Sequence, residues 1–166
     1  MGVIDATLGL ANDALHISAA LECSVLGIEV APPLVMLLKS GLLRLSSEPD
    51  PVGGAARRIS LRAGHATEVL SQIPSDSADA VLLAPMYETP DRAMPGFSLL
   101  RAVAHHAPPD AALILEASRV APRIVVKLPR GASEPAYLQN VNRIEVLRGK
   151  RVDYRVYARD PGGRAR

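Results

Sequence analysis

Aromatic side chains are scarce in this sequence: they make up 3% of 166 residues, with one Phe and no Trp. The core must therefore be built from Ala, Leu, Val and Ile. A single cysteine, Cys23, excludes an internal disulfide and any multi-cysteine zinc site. It stands just before an apolar strand and reads as a buried small hydrophobe. No apolar run reaches the roughly 18 residues a membrane helix needs. The N-terminus lacks the basic-then-apolar pattern of a signal peptide. The chain thus reads as cytoplasmic, with no membrane partner. Strong charge is also missing, since a net +2 does not by itself indicate nucleic-acid binding. Apolar residues, by contrast, make up 48%, enough for one globular domain with a sizeable core.

Apolar runs alternate with helical patterns along the chain. Residues 2–7 predict a strand that stops at a turn on Gly9, and 12–21 a helix with Asn12 or Asp13 near its cap. CSVLGIE, 23–29, predicts a strand buried on both faces, and PPLVMLLKSGLLRL, 32–45, a helix that opens on prolines. Residues 46–57 are polar and rich in Pro and Gly and predict a loop. A strand over 58–64, a short helix over 65–73 and a buried strand over 77–85 follow. A loop over 86–96 precedes helical patterns over 97–106 and 110–120, then a fifth strand over 123–129. Alternating runs over 143–149 and 152–159 predict a hairpin turning at Gly149 and Lys150, and 160–166 a flexible tail. This order predicts one α/β domain over 1–159, with a mainly parallel sheet and an antiparallel C-terminal hairpin.

Ligands of such sheets bind beyond the carboxyl ends of the strands. Three strand ends carry candidate chemistry. Asp5, Gly9 and Ala11 follow the first strand, where glycine lets backbone approach a ligand and the next helix offers unpaired N–H groups. Glu29 ends the second strand, 24 residues after Asp5, a spacing suited to the two hydroxyls of a ribose. APMYETP, 84–90, ends the fourth strand. There Pro85 lacks an N–H, and Tyr87 supplies a flat ring beside backbone carbonyls, which suits a planar base with an exocyclic amine. Each stretch also has a plain reading: a tight turn, a solvated carboxylate, a packed Tyr. His105 and His106 are adjacent and cannot both face one metal, so no metal site is expected. Arg143, Arg148, Lys150 and Arg151 cluster at the hairpin, either to contact phosphates or as a solvated edge that discourages strand pairing. Lys127, at the end of the fifth strand, is a further candidate neighbour of the site.

DATLGLANDA, GIE and PMY, in this order and spacing, resemble the class I S-adenosylmethionine-dependent methyltransferases. Among these they are most like the family that methylates an exocyclic amine of guanine in small-subunit ribosomal RNA, and its bacterial relatives. That family reads D-A-T-x-G-L-G-x-D-A at the first motif and D-P-M-F at the fourth strand. The resemblance covers roughly residues 2–158, including RIVVKLPR at strand five, and implies a Rossmann-like sheet with S-adenosyl-L-methionine as cofactor and rRNA as partner. It implies that Asp5, Thr7 and Gly9 line the methionine part, that Asp13 matches a family acid, that Glu29 holds the ribose and that Tyr87 stacks on the target base. Three positions depart from it. Ala11 stands for a glycine, a tolerable change if its φ is negative. His65 stands where an acid usually faces the adenine amine. Ala84 stands where an acid meets the amine to be methylated, which leaves the carbonyls of Ala84 and Pro85. The chain as read opens on its first strand, where the family carries an N-terminal region that helps to hold RNA or cover the cofactor.

The expected function is therefore an RNA N-methyltransferase. The alternative is a cofactor-binding protein that has lost catalysis and acts as a partner or regulator. A nicotinamide enzyme is a weaker third reading, because a full G-x-G-x-x-G is absent. Loss of the Glu29 carboxylate is expected to weaken cofactor binding with little effect on folding.

Overall fold

The structure is a computed structural model and describes residues 2–85, 102–104, 109–139 and 141–159. Seven strands form one sheet: β1 Gly2–Asp5, β2 Ser24–Glu29, β3 Ile59–Ala63, β4 Ala80–Leu83, β5 Arg123–Pro129, β6 Asn142–Arg148 and β7 Val152–Ala158. Their spatial order is β3-β2-β1-β4-β5-β7-β6. The first five run parallel and the C-terminal hairpin is antiparallel, as the sequence predicts; β7, the later of its two strands, also pairs antiparallel with β5, which leaves β6 at the edge. The order reverses at β1, which lies between β2 and β4 and opens a crevice at their carboxyl ends.

Helices α1 Asn12–Leu21, α2 Pro32–Ser46, α3 Val52–Arg57, α4 Ala66–Ser71 and α5 Ala111–Val120 connect the strands. A single 3-10 turn, Ala136–Leu138, precedes β6. One core cluster joins the sheet to α4 and α5 through Leu70, Ile114, Ala117 and Val126. A second joins it to α1 and α2 through Val3, Ala14, Val25 and Leu38. Among the described residues the core is aliphatic, as the scarcity of aromatics requires, except for Tyr157, fully buried on β7. Cys23 is buried and free. No helix among the described residues is long and apolar enough to cross a membrane.

Two local expectations fail. The predicted loop over 46–57 contains α3. Its Gly53 and Gly54 are poor helix formers, but a Cβ on Gly53 would lie 1.8 Å from the carbonyl oxygen of Glu48, and one on Gly54 would lie 2.4 Å from Asp50 Oδ1. The glycines let the helix pack against the preceding segment, and burial of Gly53–Ala56 overrides propensity. Helix α1 opens at Asn12 with Asp13 in its first turn, next to the N-cap as expected; the N-cap itself is Ala11, which makes no side-chain cap bond. Ala11 has φ 61, not the negative value that would make alanine easy there. Its methyl is buried among Leu8, Ala14 and Val25, which holds the left-handed turn in place. Some ends are trimmed by a residue or more, β1 closing at Asp5 and β4 at Leu83, whereas α1 and β5 keep their predicted bounds and α2 runs one residue further, to Ser46. The loop over 86–96, the helix over 97–106 with His105 and His106, and the tail over 160–166 lie largely or wholly outside the described residues.

Candidate functional site

The turn after β1 is tied to both neighbouring strands. Ala6 N–H donates to Leu82 O on β4, and Leu8 N–H donates to Ile28 O on β2, both at 3.0 Å. Thr7 Oγ1 accepts from Ala84 N–H at 2.6 Å. Gly27 leaves room beneath: a Cβ there would meet Leu8 Cδ2 at 2.5 Å. Gly9, at φ 54, then turns the chain into α1.

A cavity of ≈ 180 Å³ opens at this switch point. Thr7, Gly9, Glu29, His65, Ala84 and Pro85, all singled out by the sequence, are in its wall. That volume is below the roughly 300–1,000 Å³ of pockets that enclose drug-sized ligands, so the described walls can enclose one end of such a ligand. Also in the wall, and not singled out by the sequence, are Leu34, Gly64 and Asp110. Asp110 caps α5, its Oδ1 accepting from Leu113 N–H at 2.8 Å. The signal for it was a Pro-Asp step before a helical run. Gly64, at φ +148, carries the chain from β3 toward His65, the N-cap of α4.

Glu29 is the best-placed carboxylate. It is 7% exposed. Its Oε2 accepts from Gly9 N–H at 2.9 Å and its Oε1 from Ala31 N–H at 2.8 Å. It thus braces the Gly9 turn against the start of α2, a structural duty that the expectation of little effect on folding overlooks. Each oxygen retains acceptor capacity toward the cavity.

Asp5 and Asp13 sit differently. Asp5 is 1% exposed and is not in the cavity wall; its Oδ1 accepts from Thr7 N–H at 3.1 Å and so shapes the turn from below. Burial pushes its pKa from 3.8 up to about 7; Asp13 and Glu29 push the same way, while the Thr7 amide and Lys127 oppose. Asp13 forms an ion pair with Lys127, whose Nζ lies 2.8 and 2.7 Å from its two oxygens. The Lys127 ammonium also stands 5.9 Å from the centre of the Tyr154 ring. Tyr87 lies outside the described residues. Among the described residues no group of three or more metal-ligating side chains is found.

A protein family described as "Putative SAM-dependent methyltransferase" matches residues 1–159. The chain is 34% identical over 125 residues to the "Uncharacterized protein YpiP" of Bacillus subtilis (strain 168), covering 74% of this chain and 49% of that one. It is 32% identical over 164 residues to the "Ribosomal RNA small subunit methyltransferase J" of Stutzerimonas stutzeri (strain A1501), covering 93% of this chain and 60% of that one. The chain thus spans about half the length of the relatives it matches. Among solved structures, the SAM-dependent methyltransferase NGO1261 from Neisseria gonorrhoeae superposes with a TM-score of 0.71 at 29% identity, over 97% of this chain and 68% of that one. With a family match over nearly its whole length and a methyltransferase fold, the chain belongs to the SAM-dependent methyltransferase family, whose cofactor is S-adenosyl-L-methionine.

Proposed function

We propose that this chain methylates an exocyclic amine of a guanine base in ribosomal RNA, in the cytoplasm. The observation that carries the reading is the cavity itself. It lies at the switch point, with a carboxylate at the end of β2 and an acceptor-poor strand end, Ala84–Pro85, at β4. Relatives named for ribosomal RNA methylation support RNA as the substrate class.

The residues present fit the cofactor on one test: Glu29 keeps acceptor capacity on both oxygens beside a glycine turn, as a ribose diol requires. In this reading Glu29 holds the ribose and His65 lies by the adenine. Thr7 and Gly9 border the methionine part, with Asp5 and Asp13 supporting the turn. When bound, the cofactor supplies a methyl group made electrophilic by its sulfonium. Ala84 has no side-chain acceptor, and its N–H is taken by Thr7, so its carbonyl and that of Pro85 draw the hydrogens of the amine. Tyr87 stacks on the base. The protein's contribution is alignment of the amine lone pair with the methyl carbon.

Ala84 also supports a second reading, a cofactor-binding protein without catalysis. Calorimetry with S-adenosyl-L-methionine and with NAD, then nucleoside analysis of RNA incubated with protein and cofactor, tests both. Binding of the first ligand and appearance of N-methylguanosine are expected. A tighter response to NAD sinks the methyltransferase reading, and binding without methylation favours the second.

A further inference from the structure

We propose that the turn after β5 and the turn between β6 and β7 form a single docking surface for the phosphate backbone of RNA, an inference that rests on RNA as the substrate class. Arg130 follows β5, Arg148 ends β6, and Lys150 and Arg151 occupy the hairpin turn; all four are exposed. Backbone hydrogen bonds fix the two turns side by side. Arg130 N–H donates to Arg151 O at 3.0 Å, and Gly149 N–H to Val152 O at 2.8 Å. Gly131 N–H donates to Asp153 Oδ2 at 3.0 Å, beneath the surface, where Asp153 is 4% exposed.

None of the ion pairs among the described residues involves these four cations. Neighbouring cations behave otherwise: Arg143 and Arg155 share one carboxylate, Glu134, and Lys127 is paired with Asp13. A chain of net charge +2 therefore gathers four unpaired cations at one corner. That corner is on the same rim of the sheet as the cavity, because β5, which follows β4 in the sheet, and the start of β7 meet there. At about 4.8 Å per strand, β6 lies roughly 15 Å from β4. A base held at Ala84–Pro85 and its flanking nucleotides can cover that span. Protection of an edge strand explains charge on β6, but not the convergence of a separate turn carrying Arg130.

The test compares the parent, Lys150→Gln/Arg151→Gln, and Lys39→Gln/Arg44→Gln as a control from the exposed face of α2. Probes are a labelled single-stranded RNA of mixed sequence, duplex DNA of equal length, and phosphatidylserine vesicles, each titrated over a range of salt. For a single strand each neutralised phosphate contributes about −0.7 to the slope of log K against log salt. Losing two should make the slope shallower by about 1.4 and weaken RNA binding roughly 25-fold near 0.1 M salt, on the same counterion-release basis. The control pair should bind RNA as the parent does, and calorimetric affinity for S-adenosyl-L-methionine should be unchanged in all three. RNA binding with the same affinity and slope in the hairpin variant overturns the docking surface while leaving RNA as the substrate class. Absence of RNA binding by the parent overturns both. A preference for vesicles or duplex DNA over RNA, lost in the hairpin variant, also overturns the proposal.

Discussion

Removing the Glu29 carboxylate should damage two things at once, and they can be measured apart. Each oxygen accepts one backbone N–H, from Gly9 at 2.9 Å and Ala31 at 2.8 Å, in a residue 7% exposed. In Glu29→Ala both donors lose their acceptor. An unsatisfied buried donor costs about 1–3 kcal/mol, so the variant should be destabilised by roughly 2–4 kcal/mol, with some relief from water entering the cavity. Glu29→Gln keeps one carbonyl oxygen and should lose about half of that. Hydrogen bonds to a charged group contribute about 1.5–3 kcal/mol, so S-adenosyl-L-methionine should bind the Gln variant roughly 10- to 150-fold more weakly. Urea denaturation reads the first effect, and calorimetry at a denaturant-free temperature well below the midpoint reads the second. Full stability in Glu29→Ala would refute the brace between the Gly9 turn and α2. Full affinity in a folded Glu29→Gln would refute the ribose role. Loss of stability with affinity retained would make the carboxylate purely structural.

Ala84→Asp should raise methyl transfer to base amines, by up to about 10²–10³ if the regained acceptor matches a lost oxyanion-hole donor in worth. Methyl incorporation into RNA by the two forms decides it, and robust parent activity that falls in Ala84→Asp would show a site organised for another substrate. Asp5 has its pKa raised from 3.8 to about 7, so between those values the native state binds more protons than the unfolded one and stability falls as pH rises. Asp5→Asn should abolish that decline, gaining at most roughly 4 kcal/mol at pH 8 relative to pH 4, at 1.36 kcal/mol per pH unit. Parallel urea midpoints for the two forms across this range would contradict it. Ala11→Gly should stabilise the fold by up to about 1 kcal/mol: the left-handed conformation costs alanine about 1–2 kcal/mol, against about 0.8 kcal/mol for the buried methyl. A lower melting temperature in Ala11→Gly would mean that packing of the methyl outweighs the strain.

The sheet was legible because its strands are short apolar runs, punctuated by glycine, proline and helical patterns. The turn at Gly9 and the acid at Glu29 were legible because each sits where a strand runs out. Helix α3 was not, because Gly53 and Gly54 read locally as breakers and their role, clearance for the Glu48 carbonyl, exists only after folding. The pairing of Asp13 with Lys127 joins positions 114 apart in the chain, and no local pattern encodes it. Asp5 looked like a ligand contact from its place in the motif. Its burial under the turn, where it holds Thr7 N–H while Thr7 Oγ1 holds Ala84, is not encoded by the local pattern. The motif residues thus form a relay: an acid orders a threonine, and the threonine fixes the backbone of the neighbouring strand end.

Charge is unevenly distributed along the rim where this relay ends. Near β1 and β2 stand Asp13 and Glu29, with Asp5, its pKa raised to about 7, beneath them, and among the described residues Lys127 is the cation set against this cluster. Beyond β5 stand Arg130, Arg148, Lys150 and Arg151, without a paired carboxylate among the described residues. A ligand with a positive sulfonium and a polymer of phosphates are drawn to opposite ends of such a rim, and each is repelled from the other's end. Lys127 sits at the join, on β5, its ammonium held by Asp13 and near the Tyr154 ring. Held there, it neutralises Asp13 without adding to the basic corner, so the boundary between the two fields falls at β5, one strand beyond Ala84.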